Sequence, residues 1–436
     1  AGSYTTVPTE AYRRGDFSGA LTGVSLGADI LGRPIPENMI YDPATTRTVN
    51  GRSVRDPFPG NVLPPARLDP VALELQKFIP SQDPWRLDSG GSPMAMHNLE
   101  LRYARHQQRV APSVKVDHML GAGGRVSFYA SQYRFWGLTS EDGLPAPITS
   151  SIDRDLRAWT MRLTGEYTVT PSLLARVRFG YVRWVNLELP ASGVRTFQTA
   201  DAWRNAGSAG GLADGMPRLA VGLGSGNRGG LSSPLGGGGW REQFADKPGV
   251  SASLTWERGD HTYRAGGEIR QDIWSVTDAR ATVGEWRFRP DQTALPYLQT
   301  AELGGGSAGF PYASYLLGRA AEASVGTVRD PRYVKTTLGV FAQDTWRATS
   351  KLTLDYGLRW DSQPAPLETH YRTAMFGPTV PNPSAGGRLG GMVYEGFGPG
   401  RCNCTFTRTY MYAFGPRLGL AWQVTPKTVL RGGWGV

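Results

Sequence analysis

No stretch of this chain stays apolar for the roughly 18 residues that a membrane-crossing helix requires, so any crossing is left to strands. Cysteine is nearly absent: the only two, Cys402 and Cys404, sit in the triplet CNC. That spacing is awkward for a relaxed disulfide. The surrounding GPGRCNCTFTRTY supplies no His or carboxylate to complete a metal site. The pair reads as a loop feature, either free or locally bonded. The five histidines (His97, His106, His118, His261 and His370) are scattered, with no HExxH or paired ligand spacing. No Ser, His and Asp fall in a recognisable nucleophile context. The sequence therefore points to no enzyme, no cofactor and no metal.

Lysine is scarce as well. There are six, so 41 of the 47 basic residues are arginine, and the formal charge is +10. A basic chain can bind nucleic acid, but such proteins gather their charge into a stripe or patch. Here the arginines are spread along the whole length, and no nucleic-acid partner is expected. Two readings stay open: solvated arginines set by a high-GC coding bias, or an arginine-lined cavity for anions.

Glycine (57 residues) and proline (32) are plentiful, and aromatics make up 11% of the chain. This suits many strands joined by turns, not a disordered or coiled-coil chain. In KLTLDYGLRWD, residues 351–361, every second residue is apolar: Leu352, Leu354, Tyr356, Leu358 and Trp360. Side chains alternate faces along a strand, so this strand has one greasy and one wet side. The same alternation runs through Trp159, Met161, Leu163, Gly165 and Tyr167, through Leu173 to Tyr181, through Val250 to Trp256, and through Tyr263 to Ile269. TTLGVFAQDTW is less clean, because Val340 and Phe341 fall on opposite faces.

From about residue 108, short turns alternate with long connections. The turns are 121–124, 170–172, 258–260, 348–350 and 425–427; the connections are about 137–153, 188–247, 276–330 and 362–410. Aromatics gather at both ends of the strands. Tyr167, Trp256, Tyr263, Trp346 and Trp422 lie toward the turns, and Trp136, Trp159, Tyr181, Trp274 and Trp360 toward the long connections. Strands long enough to cross a bilayer, two aromatic girdles and long loops at one end describe an antiparallel transmembrane β-barrel of roughly ten to twelve strands here. In a soluble sandwich, long loops at one end only would have no explanation. The greasy side is expected to touch lipid.

Residues 1–105 read differently. They are rich in Pro, Gly, Asp and Arg, and read as a long surface segment rather than a core. One short helix is predicted from Pro70 to Phe78, with Asp69 as N-cap and Pro70 at the first helical position. The N-terminus has no apolar signal core, and the C-terminus ends inside a strand-like run. The chain reads as part of a longer protein.

The wet side of the strands carries the site candidates: Arg162, Glu166, Arg176, Arg178, Arg264, Glu268, Asp355, Arg359 and Arg417. They either contact a ligand or a plug inside the barrel, or form ion pairs that tie neighbouring strands together. The RGD of RRGDFSG (Arg14, Gly15, Asp16) is too short to establish adhesion. The glycine run at 222–239 lacks the strand–loop–helix frame and the GK[ST] of a phosphate cradle.

Several stretches together resemble one family. They are RRGDFSG (13–19), IYDPATTRTVNG (40–51), DPFPGNVLPPARLDPVALELQKFIP (56–80), KVDHMLGAGGRVSFYASQY (115–133), GDHTYRAGGEIR (259–270), LGVFAQDTWRATSKLTLDYGLRWD (338–361) and FGPRLGLAWQVTPKTVLRGGWGV (414–436). The chain resembles TonB-dependent outer-membrane receptors of the Oar-like type. The resemblance implies a bacterial outer-membrane barrel of about 22 strands around a plug. Residues 1–105 would be a long extracellular segment. Residues 106–436 would be part of the barrel, without signal peptide, plug or barrel end. It also implies outer-membrane lipid as surroundings, an inner-membrane TonB complex acting through the plug region, and an unidentified extracellular substrate. An outer-membrane surface or adhesion protein is the alternative, and a soluble secreted β-rich binding protein a third.

Overall fold

The computed structural model describes residues 2–104, 106–139, 141–198, 201, 214–221, 231, 234–296, 308–406 and 408–436. Most of the 222–239 glycine run lies outside them.

One twelve-stranded antiparallel sheet dominates. Its strands are β1 (Gln107–Val110), β2 (Ser113–Leu120), β3 (Gly124–Thr139), β4 (Ile152–Thr170), β5 (Leu173–Pro190), β6 (Arg241–Arg258), β7 (His261–Asp278), β8 (Arg332–Thr349), β9 (Leu352–Gln363), β10 (Leu367–Glu368), β11 (Tyr410–Thr425) and β12 (Thr428–Gly435). Both β1 and β2 pair with β3, and β10 pairs with β8. From β3 onward the long strands pair in chain order as hairpins. All five predicted short turns join them. Among the described residues β2 and β12 do not pair with each other, so the sheet stays open.

The strands outrun their sequence signal. The 19 residues of β4 and 18 of β5 exceed the about 9–11 that a tilted crossing needs. β6 begins at Arg241, inside the connection expected to run to 247. The outer ends of the strands continue past the region where apolar residues alternate, so alternation alone places their ends too early.

The register assigns the faces. Leu163 opposes Phe128 and Phe179, Phe179 opposes Val250, and Val250 opposes Ile269. This apolar face is uncovered: Leu163, Phe179, Leu254 and Leu358 are 45–51% exposed. A contiguous apolar face of this extent requires a nonaqueous neighbour. The uneven strand is also resolved. Val340, Ala342 and Trp346 join the apolar face through Gly267, Ala265 and His261, and Asp344 comes with them. Phe341 points to the wet side over Gly266, where an added Cβ would lie 2.9 Å from its ring. Trp274 leaves the expected girdle. It lies five residues from Ile269, an odd spacing, so it takes the opposite face and stacks on Tyr333 at 5.4 Å.

The first hundred residues are a correction. They contain a packed core: Val7, Tyr12, Phe17, Ile40, Phe58 and Leu63 are at most 4% exposed. The long connections complete this core with Ile148, Val194, Met216, Phe288 and the helix Pro311–Leu316. Tyr12 stacks on Phe17 at 4.9 Å, and Phe310 lies 5.2 Å from Phe17. Two buried asparagines tie the turns together. Asn98 both accepts from and donates to the backbone of Val7 at 2.9 Å. Asn61 accepts from Ile40 N and donates to the carbonyls of Phe17 and Asn38. The predicted helix is Pro70–Gln76, with the Asp69 carboxylate accepting from the amides of Val71 and Ala72. The core therefore forms a cap at the long-connection end of the sheet. Its apolar residues stand singly between turns, so periodicity did not reveal it. Cys402 and Cys404 are bonded to each other.

Candidate functional site

All nine candidate residues fall on the wet face. Glu166 opposes Arg176, and Thr164 opposes Arg178. Arg178 opposes Ser251, and Ser251 opposes Glu268. Arg264 opposes Gln343, which opposes Gly357, which opposes Arg417. Alternation puts long polar side chains on this face, and small residues between them leave room for the heads.

Three adjoining grooves meet at Glu268 and together are lined by all nine. The largest, about 700 Å³, has Arg162, Glu166 and Arg178 in its wall. A second of about 210 Å³ lies among Arg176, Arg178, Arg264 and Arg359. The third, about 600 Å³, is bordered by Asp355, Arg359 and Arg417.

Six arginines face three carboxylates in this set, and the carboxylates are taken. Arg176 pairs with Glu166 at 2.7 Å. Arg359 pairs with Glu268 at 2.5 Å and with Asp361 at 2.7 Å. Asp355 accepts from the Thr345 hydroxyl at 2.5 Å. Arg162 lies 5.7 Å from the Tyr129 ring. Arg178, Arg264 and Arg417 make no hydrogen bond or ion pair to any described residue. The ion-pair expectation thus describes part of the set, and an excess of unpaired guanidinium groups describes the rest.

The same surface carries further charged residues outside the nine candidates. Arg125 pairs with Asp117 at 2.9 Å. Lys247 and Arg270 approach Asp272 at 3.7 and 3.4 Å. Asp361 closes the Arg359 pair. Asp361 and Arg270 already stand on the wet side of their strands' alternation, and Arg125 continues that of its own strand. Lys247 and Asp272 lie in strand extensions with no clean pattern.

Among the described residues, no group of three or more His, Cys, Asp or Glu is placed to hold a metal ion. The grooves offer cationic heads for charge-assisted hydrogen bonds to carboxylate or phosphate oxygens.

A family model described as an outer membrane beta barrel domain matches residues 1–436. No curated protein matches the sequence. Among solved structures, the copper transporter OprC aligns with 11% identity and a TM-score of 0.41, over 76% of this chain and 36% of its own. The open form of the ferric-catecholate import receptor Fiu from E. coli aligns with 11% identity and a TM-score of 0.36, over 77% and 47%. The ferric preacinetobactin receptor BauA from Acinetobacter baumannii gives 14% and 0.32, over 73% and 45%. The chain thus spans less than half the length of each of these proteins.

Proposed function

We propose, from the premise that the chain belongs to the outer membrane β-barrel domain family, that it is the barrel portion of a TonB-dependent outer-membrane transporter. The family places it in the bacterial outer membrane; in this reading the apolar face meets lipid and the wet face lines the lumen. The observation that carries the transporter reading is the lumen face itself. Three grooves meet at Glu268 under an excess of arginines, three of which make no hydrogen bond or ion pair to any described residue. A wall that meets a plug or a passing anionic solute leaves some free.

In this reading, residues 1–105 form the body of an extracellular cap. The plug and the segment pulled from the inner membrane lie elsewhere in the polypeptide. A surface or adhesion protein working through the cap is the second reading, favoured by how fully Tyr12, Phe17 and Phe310 are packed.

The test is the reading frame on both sides of this segment, followed by crosslinking. A plug-like domain upstream and further strands downstream are expected. A cysteine replacing Arg178 or Arg264 should then crosslink to that plug. A frame with no plug would sink the transporter reading and leave the adhesion reading.

A further inference from the structure

Toward the long-loop end, the lipid-facing surface becomes charged. Arg134 and Arg157 stand directly opposite each other across β3 and β4, on the alternation that includes Trp159. Arg183 opposes Trp159 from β5. Three guanidinium groups therefore surround one girdle tryptophan on the outer wall. Like charges directly opposite each other in a sheet are destabilising unless something neutralises them.

The chain supplies only part of that neutralisation. Arg134 and Arg157 share the single carboxylate of Asp155, at 3.0 and 2.5 Å. Arg183 reaches Asp246 only at 3.5 Å, and that carboxylate already accepts from the Tyr181 hydroxyl at 2.7 Å. The three arginine side chains remain 42–46% exposed. Arg134 also lies 4.8 Å from the Trp136 ring, a contact that fixes its head beside the girdle.

We propose that Arg134, Arg157 and Arg183 form a docking site for the phosphate-bearing headgroup of an outer-leaflet lipid. Two arguments select this occupant. The surface continues directly into the apolar rows of Leu163 and Phe179, so whatever covers those rows extends to the arginines. Guanidinium groups pair with phosphate through parallel hydrogen bonds, and their long stems let the heads rise to headgroup level. Tyr181 and Trp159 would flank the acyl–headgroup boundary.

The experiment is lipid retention by the full-length protein, measured by native mass spectrometry from micelles doped with phosphatidylglycerol or with phosphatidylcholine. Both headgroups carry phosphate, but only phosphatidylglycerol has a net negative charge. The wild type should retain phosphatidylglycerol preferentially. Each arginine removed should weaken that retention about fivefold, as expected for one basic residue at a charged membrane surface. R134Q/R157Q/R183Q should abolish the preference, whereas R388Q, at a loop hairpin tip, should keep it. If the triple variant does not fold, R157Q serves alone, because it removes one member of the like-charged pair. An undiminished preference in the folded variants would overturn the proposal. So would displacement of the lipid by an equal concentration of inorganic phosphate, which would mark a simple ion site.

Discussion

The guanidinium of Arg359 reaches across an intervening strand to Glu268 at 2.5 Å, passing over Gly339. A Cβ at 339 would lie 2.6 Å from both Arg359 Nη2 and Asp361 Oδ1. The glycine is the gap through which β9 and β7 communicate. Gly339→Val should displace the arginine head, and Glu268→Gln should remove its acceptor. The pair is partly exposed, so the interaction contributes at most about 1 kcal/mol. The two changes should be non-additive, which a double-mutant cycle of unfolding free energies would read. Strict additivity would mean that Gly339 does not seat this pair.

Arg178 and Arg264 face the same grooves with no hydrogen-bond or ion-pair partner among the described residues. Arg178→Gln and Arg264→Gln should leave stability within about 0.5 kcal/mol of wild type. If the wet face lines a lumen as proposed, Arg178→Glu with Arg264→Glu should instead impair what that face binds, read as lost crosslinking to the plug or lost solute uptake. A clear drop in stability from the neutral variants would return both arginines to a structural role.

Neighbouring residues should respond oppositely to the same charge. Phe179 is 46% exposed on the apolar face, next to Arg178 on the wet face. Phe179→Arg should cost about 2–4 kcal/mol near the bilayer midplane. Denaturant titration in phospholipid vesicles would measure it. A negligible cost would place Phe179 away from the hydrocarbon.

How legible each part was follows from which signal it carries. Alternation in KLTLDYGLRWD and its companions gave both faces, because period 2 is a local property of a strand. It therefore placed all nine wet-face residues on one side. It did not reveal that Arg359 spans two strands, since that depends on Gly339 opposing Asp361. Phe341 and Asp344 each break the pattern by pointing to the unexpected face. The cap escaped detection for another reason: Tyr315 donates to the Ala72 carbonyl 243 residues away. Contacts of that range leave no local period.

The cap offers its own test. Phe17 is fully buried between Tyr12 and Phe310. Phe17→Ala should cost about 3–5 kcal/mol within that body. Limited proteolysis should then cleave residues 1–102 while the sheet keeps its resistance. Joint loss of both would show that cap and sheet unfold as one unit.

Glu368 should make the region between β9 and β11 acid-sensitive. It lies outside the membrane-crossing strands, with its side chain 1% exposed. Burial alone would raise its pKa. Hydrogen bonds from the Arg372 side chain and from the amides of Arg372, Arg332 and His370 outweigh that, bringing it from an ordinary 4.5 to about 2. A carboxylate depressed in the folded state stabilises fully above its unfolded value, and the contribution is lost as pH falls toward the folded one. The loop should therefore hold at pH 6 and loosen progressively between about 4.5 and 2, read by hydrogen exchange across 364–406. Glu368→Gln keeps the size but not the charge, so it should loosen the loop at pH 6 and flatten the dependence in that window. An unchanged acid profile in the variant would assign the sensitivity to another carboxylate, Asp330 first, because it shares Arg372 at 2.6 Å.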